Sequence, residues 1–330
     1  MEHSSRIKKS MKDYCNESPK LKYLYFGGKG GVGKTVLAGA TAMKYAEAGR
    51  RTLLASTNPV HSLSNLFQQD LFGAARQVAD RENFYALEID TRDTINKKKS
   101  ELTDMIMWFL KFADIPISAG DFIESATMNP AFEESAMFEN MIDLIIANEY
   151  DAYVFDTAPT ANARRLLGMS KVYSLWVDKM VKSREEAVSI REMLSAGRRK
   201  SKEKDPLMEY LSGFRSRIDK VHAILTDAAL TAFFFVTLPE ALPIAVIKRF
   251  IGWFREFGIP IGGVIVNEVI DSAELTDDSP EFVRNRVAMQ NRYIEEIFSS
   301  LPDVRAILPY FEREVRGVEM LSRFADALFA

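Results

Sequence analysis

The segment YLYFGGKGGVGKTVLAGA, residues 23–40, joins an apolar, β-rich run to a helix-forming run through a turn with five glycines and two lysines. Gly28, Gly33, Lys34 and Thr35 satisfy the spacing G-x-x-x-x-G-K-[ST] directly after a strand pattern and before a helix pattern, the context in which that spacing binds phosphate. Glycines let consecutive backbone N–H groups turn onto phosphate oxygens that side chains would block. The helix that follows adds the positive end of its dipole. Such a loop puts Lys34 on the β- and γ-phosphates of a nucleotide and the Thr35 hydroxyl on Mg²⁺, with Gly28, Lys29, Gly30, Gly31, Val32, Gly33 and Val36 completing the cradle. One lysine already serves the phosphates, so Lys29 needs a separate explanation.

Outward from this loop, short apolar runs recur at 22–26, 51–57, 84–89, 150–158, 231–238, 262–269 and 306–311. Their continuous rather than alternating apolar character suits strands covered on both faces. Helical patterns lie between many of them, such as Val36, Leu37, Ala40 and Met43 ahead of the helix stop Gly49. The alternation predicts an α/β fold with a doubly wound, mainly parallel sheet. Two stretches, about 97–138 and 172–220, break the rhythm with helical, charged and Met-bearing sequence and read as an inserted helical subdomain. The expected organisation is a flexible arm over 1–20 and one nucleotide-binding domain over 21–330.

Composition narrows the function. A formal net charge of -3 over 330 residues gives no global reason to expect a nucleic-acid partner. Cys15 is the only cysteine and there are three histidines, so thiolate zinc sites, iron-sulfur clusters and disulfide frameworks lack ligands within one chain. Residues 1–20 have no apolar stretch of the export-signal kind. The run AALTAFFFVTLPEALPIAVI, 228–247, is broken by Pro239, Glu240 and Pro243 and reads as a buried strand followed by a helix rather than a membrane span. A cytoplasmic protein, not embedded in a membrane, is expected.

Lys29 leads to a resemblance. KGGVGKT, 29–35, is similar to the deviant phosphate-loop class written K-G-G-x-G-K-[ST]. STNPVHSLSNLF (56–67) resembles the switch I motif S-T-D-P-A-H-S-L-S-D-x-F of the arsenite-pump (ArsA) and tail-anchored-protein-targeting ATPases, and VFDTAPTANARRLL (154–167) resembles their switch II. NPAFEE, VTLPEALPIAVIKRFI, VIVNEV and LPYFEREVRGVEML match further family motifs in order, so the likeness covers nearly the whole chain. The nitrogenase iron protein shares the loop but needs cluster cysteines that are absent here.

The resemblance implies ATP as ligand and a homodimer with nucleotide at its interface, Lys29 crossing to the partner's nucleotide. It implies that Asp156 organises Mg²⁺ through water and that Asn267 hydrogen-bonds the adenine edge. Asn58 stands where the family carries the aspartate that orients the attacking water. An amide offers no anionic proton acceptor, a group worth about 10²–10⁴-fold in rate, so slow hydrolysis is expected. The second switch deviates too, with TANARR at 160–165. Nine of the 14 methionines fall between residues 100 and 210, and Met adapts to varied apolar surfaces. In the family this region forms a groove for the hydrophobic transmembrane helix of a client; ordinary packing between helices is the competing reading. The alternatives for the whole chain are the driving subunit of an arsenite efflux pump, engaging a membrane pump subunit, and an ATP-gated scaffold with little turnover. The basic run Arg198, Arg199, Lys200, Lys202 and Lys204 carries interleaved acids and reads as a solvated loop. The amphipathic C-terminus reads as a docked helix.

Overall fold

In the computed structural model, residues 2–56, 62–89, 140–156, 206–276 and 278–330 are described, together with isolated positions between 96 and 186. The strands are β1 (Tyr23–Gly27), β2 (Thr52–Ser56), β3 (Arg76–Gln77), β4 (Phe84–Glu88), β5 (Ala152–Asp156), β6 (Thr231–Thr237), β7 (Ile261–Val269) and β8 (Val304–Pro309). They form one sheet in the order β3-β4-β2-β5-β1-β6-β7-β8. All neighbours pair in parallel except β3, which runs antiparallel to β4. Every residue of β1, β2, β5 and β6 is buried, which is why their sequences are continuously apolar. The two-residue β3 carries no apolar signal and is not legible in the sequence.

Register brings the strand ends together. Phe26 of β1 and Ser56 of β2 both pair with Asp156, the last residue of β5. From β1 the chain crosses by α2 (Lys34–Glu47) to β2 on one side of the sheet, whereas β6 follows β5 and lies beyond β1 on the other side. Neighbouring strands whose connections diverge leave a crevice at their carboxyl ends, the usual ligand position in such sheets. The glycine loop occupies that position.

Helices cover both faces. Leu37, Ala40 and Met43 of α2 share a core with Leu321, Phe324 and Leu328 of α7 (Gly317–Leu328) and with Leu24, Phe26 and Ile265 of the sheet. The C-terminal amphipathic stretch is thus a docked helix. Side chains alternate along a strand, and Val266 and Val269 meet Ile244 of α5 (Ala241–Glu256) and Ile294 and Ile297 of α6 (Glu281–Ser300) in a second core. The 228–247 run resolves into β6 and the start of α5, with Pro243 in the first helical turn, where it is tolerated.

The N-terminal stretch, expected as a flexible arm, carries a helix, α1 (Met11–Glu17), capped by reciprocal hydrogen bonds between Ser10 and Asp13. Met11 is fully buried. Arg305, itself buried, donates to the Lys9 carbonyl at 3.1 Å and stacks 4.7 Å from the Tyr14 ring. Only the fold brings Arg305 to this helix, so its anchoring is invisible locally.

The chain divides into two units, one of residues 1–90, 148–164 and 225–330 and one of 91–147 and 165–224. In the second, Met141, Ile142 and Ile145 on a helix over 140–147, and Ile218 and Val221 on α4 (Pro206–Thr226), are buried, and Arg217 pairs with Asp143. Most of the expected helical subdomain, eight of the nine methionines between residues 100 and 210 and the basic run at 198–204 lie outside the residues whose side chains are described. Among the described residues, no helix is long and apolar enough to cross a membrane.

Met11→Ala is expected to cost about 2–5 kcal/mol, as for other buried methionines. Urea unfolding should show a lower midpoint with an unchanged slope; an unchanged midpoint would mean that α1 contributes nothing to the core.

Candidate nucleotide site

The loop after β1 is held by its neighbours at van der Waals distance. Gly33, the N-cap of α2, has φ +90°, and a Cβ there would lie 2.4 Å from Asn267 Nδ2. A Cβ on Gly28 would lie 2.4 Å from the Val236 carbonyl oxygen. A side chain at either position would force its neighbour to move.

Lys34 is buried, and its Nζ donates to the Lys29 carbonyl oxygen at 3.1 Å across the loop. Burial lowers its pKa, partly opposed by the Asp156 carboxylate. A desolvated ammonium without a contacting anion gains from an incoming phosphate. The Lys29 side chain is half-buried and forms no ion pair among the described residues.

Asp156 is the hub. Its Oδ2 accepts from Thr35 Oγ1 at 2.6 Å, Ser56 Oγ at 3.2 Å and Ser62 Oγ at 3.5 Å. Its Oδ1 is buried and has no hydrogen-bond partner among the described residues. Burial raises the carboxyl pKa, against the Thr35 hydroxyl, the Lys34 charge and the two serines. One organised and one orphaned oxygen, next to a hydroxyl from the start of α2, fit a hydrated divalent cation.

Ser62 opens α3 (Ser62–Phe67), and a residue missed by sequence reading fixes that helix. Glu88, the buried last residue of β4, accepts the Leu63 N–H at 2.7 Å on Oε1 and the Ser64 hydroxyl on Oε2. The available signal was an acid ending an apolar strand run. Asn267, near the end of β7, donates from Nδ2 to the Val32 carbonyl oxygen at 3.1 Å, and its buried Oδ1 has no partner among the described residues. Lys29, Lys34, Thr35, Asp156 and Asn267 therefore meet around one loop. Asn58 and the switch II residues 157–167 lie outside the described residues. Away from this site, burial pushes the Cys15 thiol up to about 11, so at neutral pH it presents no thiolate.

A glycine loop closing on a helix N-terminus at the switch point of a parallel sheet, with a buried lysine inside it, is the phosphate-binding architecture of P-loop nucleoside triphosphatases. Residues 21–330 match the family model described as anion-transporting ATPase, and the chain belongs to that family. It is similar to the putative arsenical pump-driving ATPase 2 of Aquifex aeolicus (strain VF5), 31% identical over 93% of this chain and 99% of the relative. It is also similar to ATPase GET3A of Arabidopsis thaliana, 30% identical over 92% and 83%, and to ATPase ASNA1 homolog 2 of Paramecium tetraurelia, 28% identical over 94% and 94%. Its reaction is the hydrolysis of ATP to ADP and phosphate.

The raised Asp156 pKa sets a pH dependence. The folded state holds this proton more tightly than the unfolded state, so stability is greatest below the ordinary value of 3.8 and falls as pH rises from there to the folded pKa. Asp156→Asn should remove that component: in nucleotide-free thermal scans its melting temperature rises relative to wild type as pH increases. A constant difference between the two proteins would contradict it.

Proposed function

We propose that the chain is a dimeric, Mg-ATP-dependent conformational switch, with a triphosphate bound across the subunit interface in the closed state. The carrying observation is the division of labour between the loop lysines. Lys34 is folded into its own loop, whereas Lys29 is half-exposed and without an ion pair among the described residues. A charge on that side of the loop is free to reach a neighbouring subunit's phosphates, and two ammonium groups per triphosphate favour the ATP-bound dimer.

Within each site, Thr35 and Asp156 would hold Mg²⁺, Asp156 acting through coordinated water by way of its orphaned oxygen. When bound there, Mg²⁺ would supply charge neutralisation for the triphosphate. The Gly28–Val36 backbone orients the phosphates, and Asn267 keeps Oδ1 for the amino edge of the base while Nδ2 secures the loop. Asn58 offers no anionic acceptor to the attacking water, so turnover is slow and the ATP-bound state long-lived.

The client reading follows from the family resemblance and from the methionine-rich stretch between residues 100 and 210. The helical subdomain would frame a groove that shields a hydrophobic helix of a membrane protein in the cytoplasm. The name of the Aquifex relative favours a second reading, the driving ATPase of an arsenite pump. Metalloid binding by three thiolates does not fit a single cysteine with a raised pKa.

Asn58→Asp should raise single-turnover hydrolysis by about 10²–10⁴-fold; an unchanged rate removes position 58 from catalysis. In sedimentation velocity with ATP and Mg²⁺, wild type should run as a dimer and Lys29→Ala as a weaker one, whereas identical association would dismiss the intersubunit role of Lys29.

A further inference from the structure

The carboxyl end of β7 has one residue more than its partner strand. Val266 pairs with Ile307 and Val269 with Pro309, so Asn267 and Glu268 together stand opposite Leu308. Glu268 absorbs the extra residue with φ +57°, a left-handed conformation that is uncommon outside glycine and concentrates at functional sites. Bulges of this kind re-aim side chains next to active sites. Gln290 of α6, 1% exposed, holds the kink from both sides: its Nε2 donates to the Glu268 carbonyl oxygen at 3.0 Å and its Oε1 accepts from the Ile270 N–H at 3.1 Å.

The kink sends two successive side chains to different tasks. Asn267 lies on the phosphate loop through Val32. Glu268 lines an adjoining cavity of about 320 Å³, with Leu238, Pro239, Phe282, Arg286 and Tyr310 among its walls. Phe282 and Tyr310 are 74% and 62% exposed, leaving aromatic surface open at the rim. Arg286, the cation acting on Glu268, is bonded to Glu240, and the half-buried Glu268 carboxylate forms no hydrogen bond among the described residues.

An ionised carboxylate is an acceptor only. Set beside open aromatic surface, it complements a flat heteroaromatic ring with an amino group on its edge. A ligand anchored by its phosphates in the loop that Asn267 touches would bring such a ring to this end of β7. We propose that Glu268 is a specificity-determining residue that favours a 6-amino purine over a 6-oxo purine: the amino group has two hydrogens, one for Asn267 Oδ1 and one for the Glu268 carboxylate, whereas a 6-oxo oxygen would face that carboxylate. A guanidinium from a partner protein could also satisfy this chemistry, but it would not explain why the kink couples the cavity to the phosphate loop.

This inference rests on the loop being an ATP site, and calorimetry on the full chain separates the two. ATP, ITP and tripolyphosphate are titrated into wild type, Glu268→Gln and Glu268→Ala. Wild type should prefer ATP to ITP. In Glu268→Gln, whose amide can donate to the 6-oxo group, the ratio of the two dissociation constants should fall by about tenfold, the size of one hydrogen bond to a charged group. Glu268→Ala should lower the ratio by less, and tripolyphosphate, which has no base, should bind all three proteins alike. A ratio unchanged in both variants, or a loss of tripolyphosphate affinity matching that of ATP, overturns the role of Glu268 while leaving the phosphate loop in place. Failure of wild type to bind either ATP or tripolyphosphate would overturn the ATP site itself.

Discussion

A carboxylate buried at the carboxyl end of β5, with one oxygen shared among three hydroxyls and the other without a partner among the described residues, constrains the elements around it. Leaving such a group unpaired in a protein interior is costly, so a ligand that completes Asp156 would be favoured there. Its donors come from separate elements: Thr35 from the start of α2, Ser56 from β2 and Ser62 from α3. Parallel register places the ends of β1, β2 and β5 at the same level. Glu88 on β4 secures α3 from behind. The site is a property of the sheet's edge rather than of any single motif.

Loop and sheet also constrain each other by contact. Gly28 abuts the Val236 carbonyl of β6 and Gly33 abuts Asn267 of β7, so neighbouring strands constrain the phosphate loop at these two positions. Its flexibility is spent on reaching an unusual conformation, after which the neighbouring strands hold it there. Asn267 supports the loop through its amide nitrogen, while its oxygen has no partner among the described residues. The bulge that presents Asn267 is in turn fixed by Gln290, so α6, far away in sequence, helps set the geometry of a loop before α2.

Much of this was legible in the sequence where a signal was local. The buried strands β1, β2, β5 and β6 announced themselves as continuous apolar runs, and the spacing of Gly28, Gly33, Lys34 and Thr35 identified the loop. Asp156 and Asn267 were reached through family motifs, and the structure brings both to the loop. What escaped depends on pairings distant in sequence. Glu88 and Gln290 look like ordinary polar residues until the fold buries them against α3 and β7. The helix at 11–17 hides its apolar side among charges and is held by Arg305, nearly 300 residues away. Position 58 and most of the helical insertion lie outside the described residues, and their roles rest on sequence alone.

The sharpest single measurement is the dependence of ATP affinity on Mg²⁺, made by calorimetry on wild type and on Asp156→Ala. If the orphaned carboxylate oxygen is there to organise the cation, Mg²⁺ should tighten ATP binding to wild type by at least about tenfold, and that gain should vanish in the variant while metal-free binding persists. A gain of equal size in both proteins would contradict the central role given to Asp156.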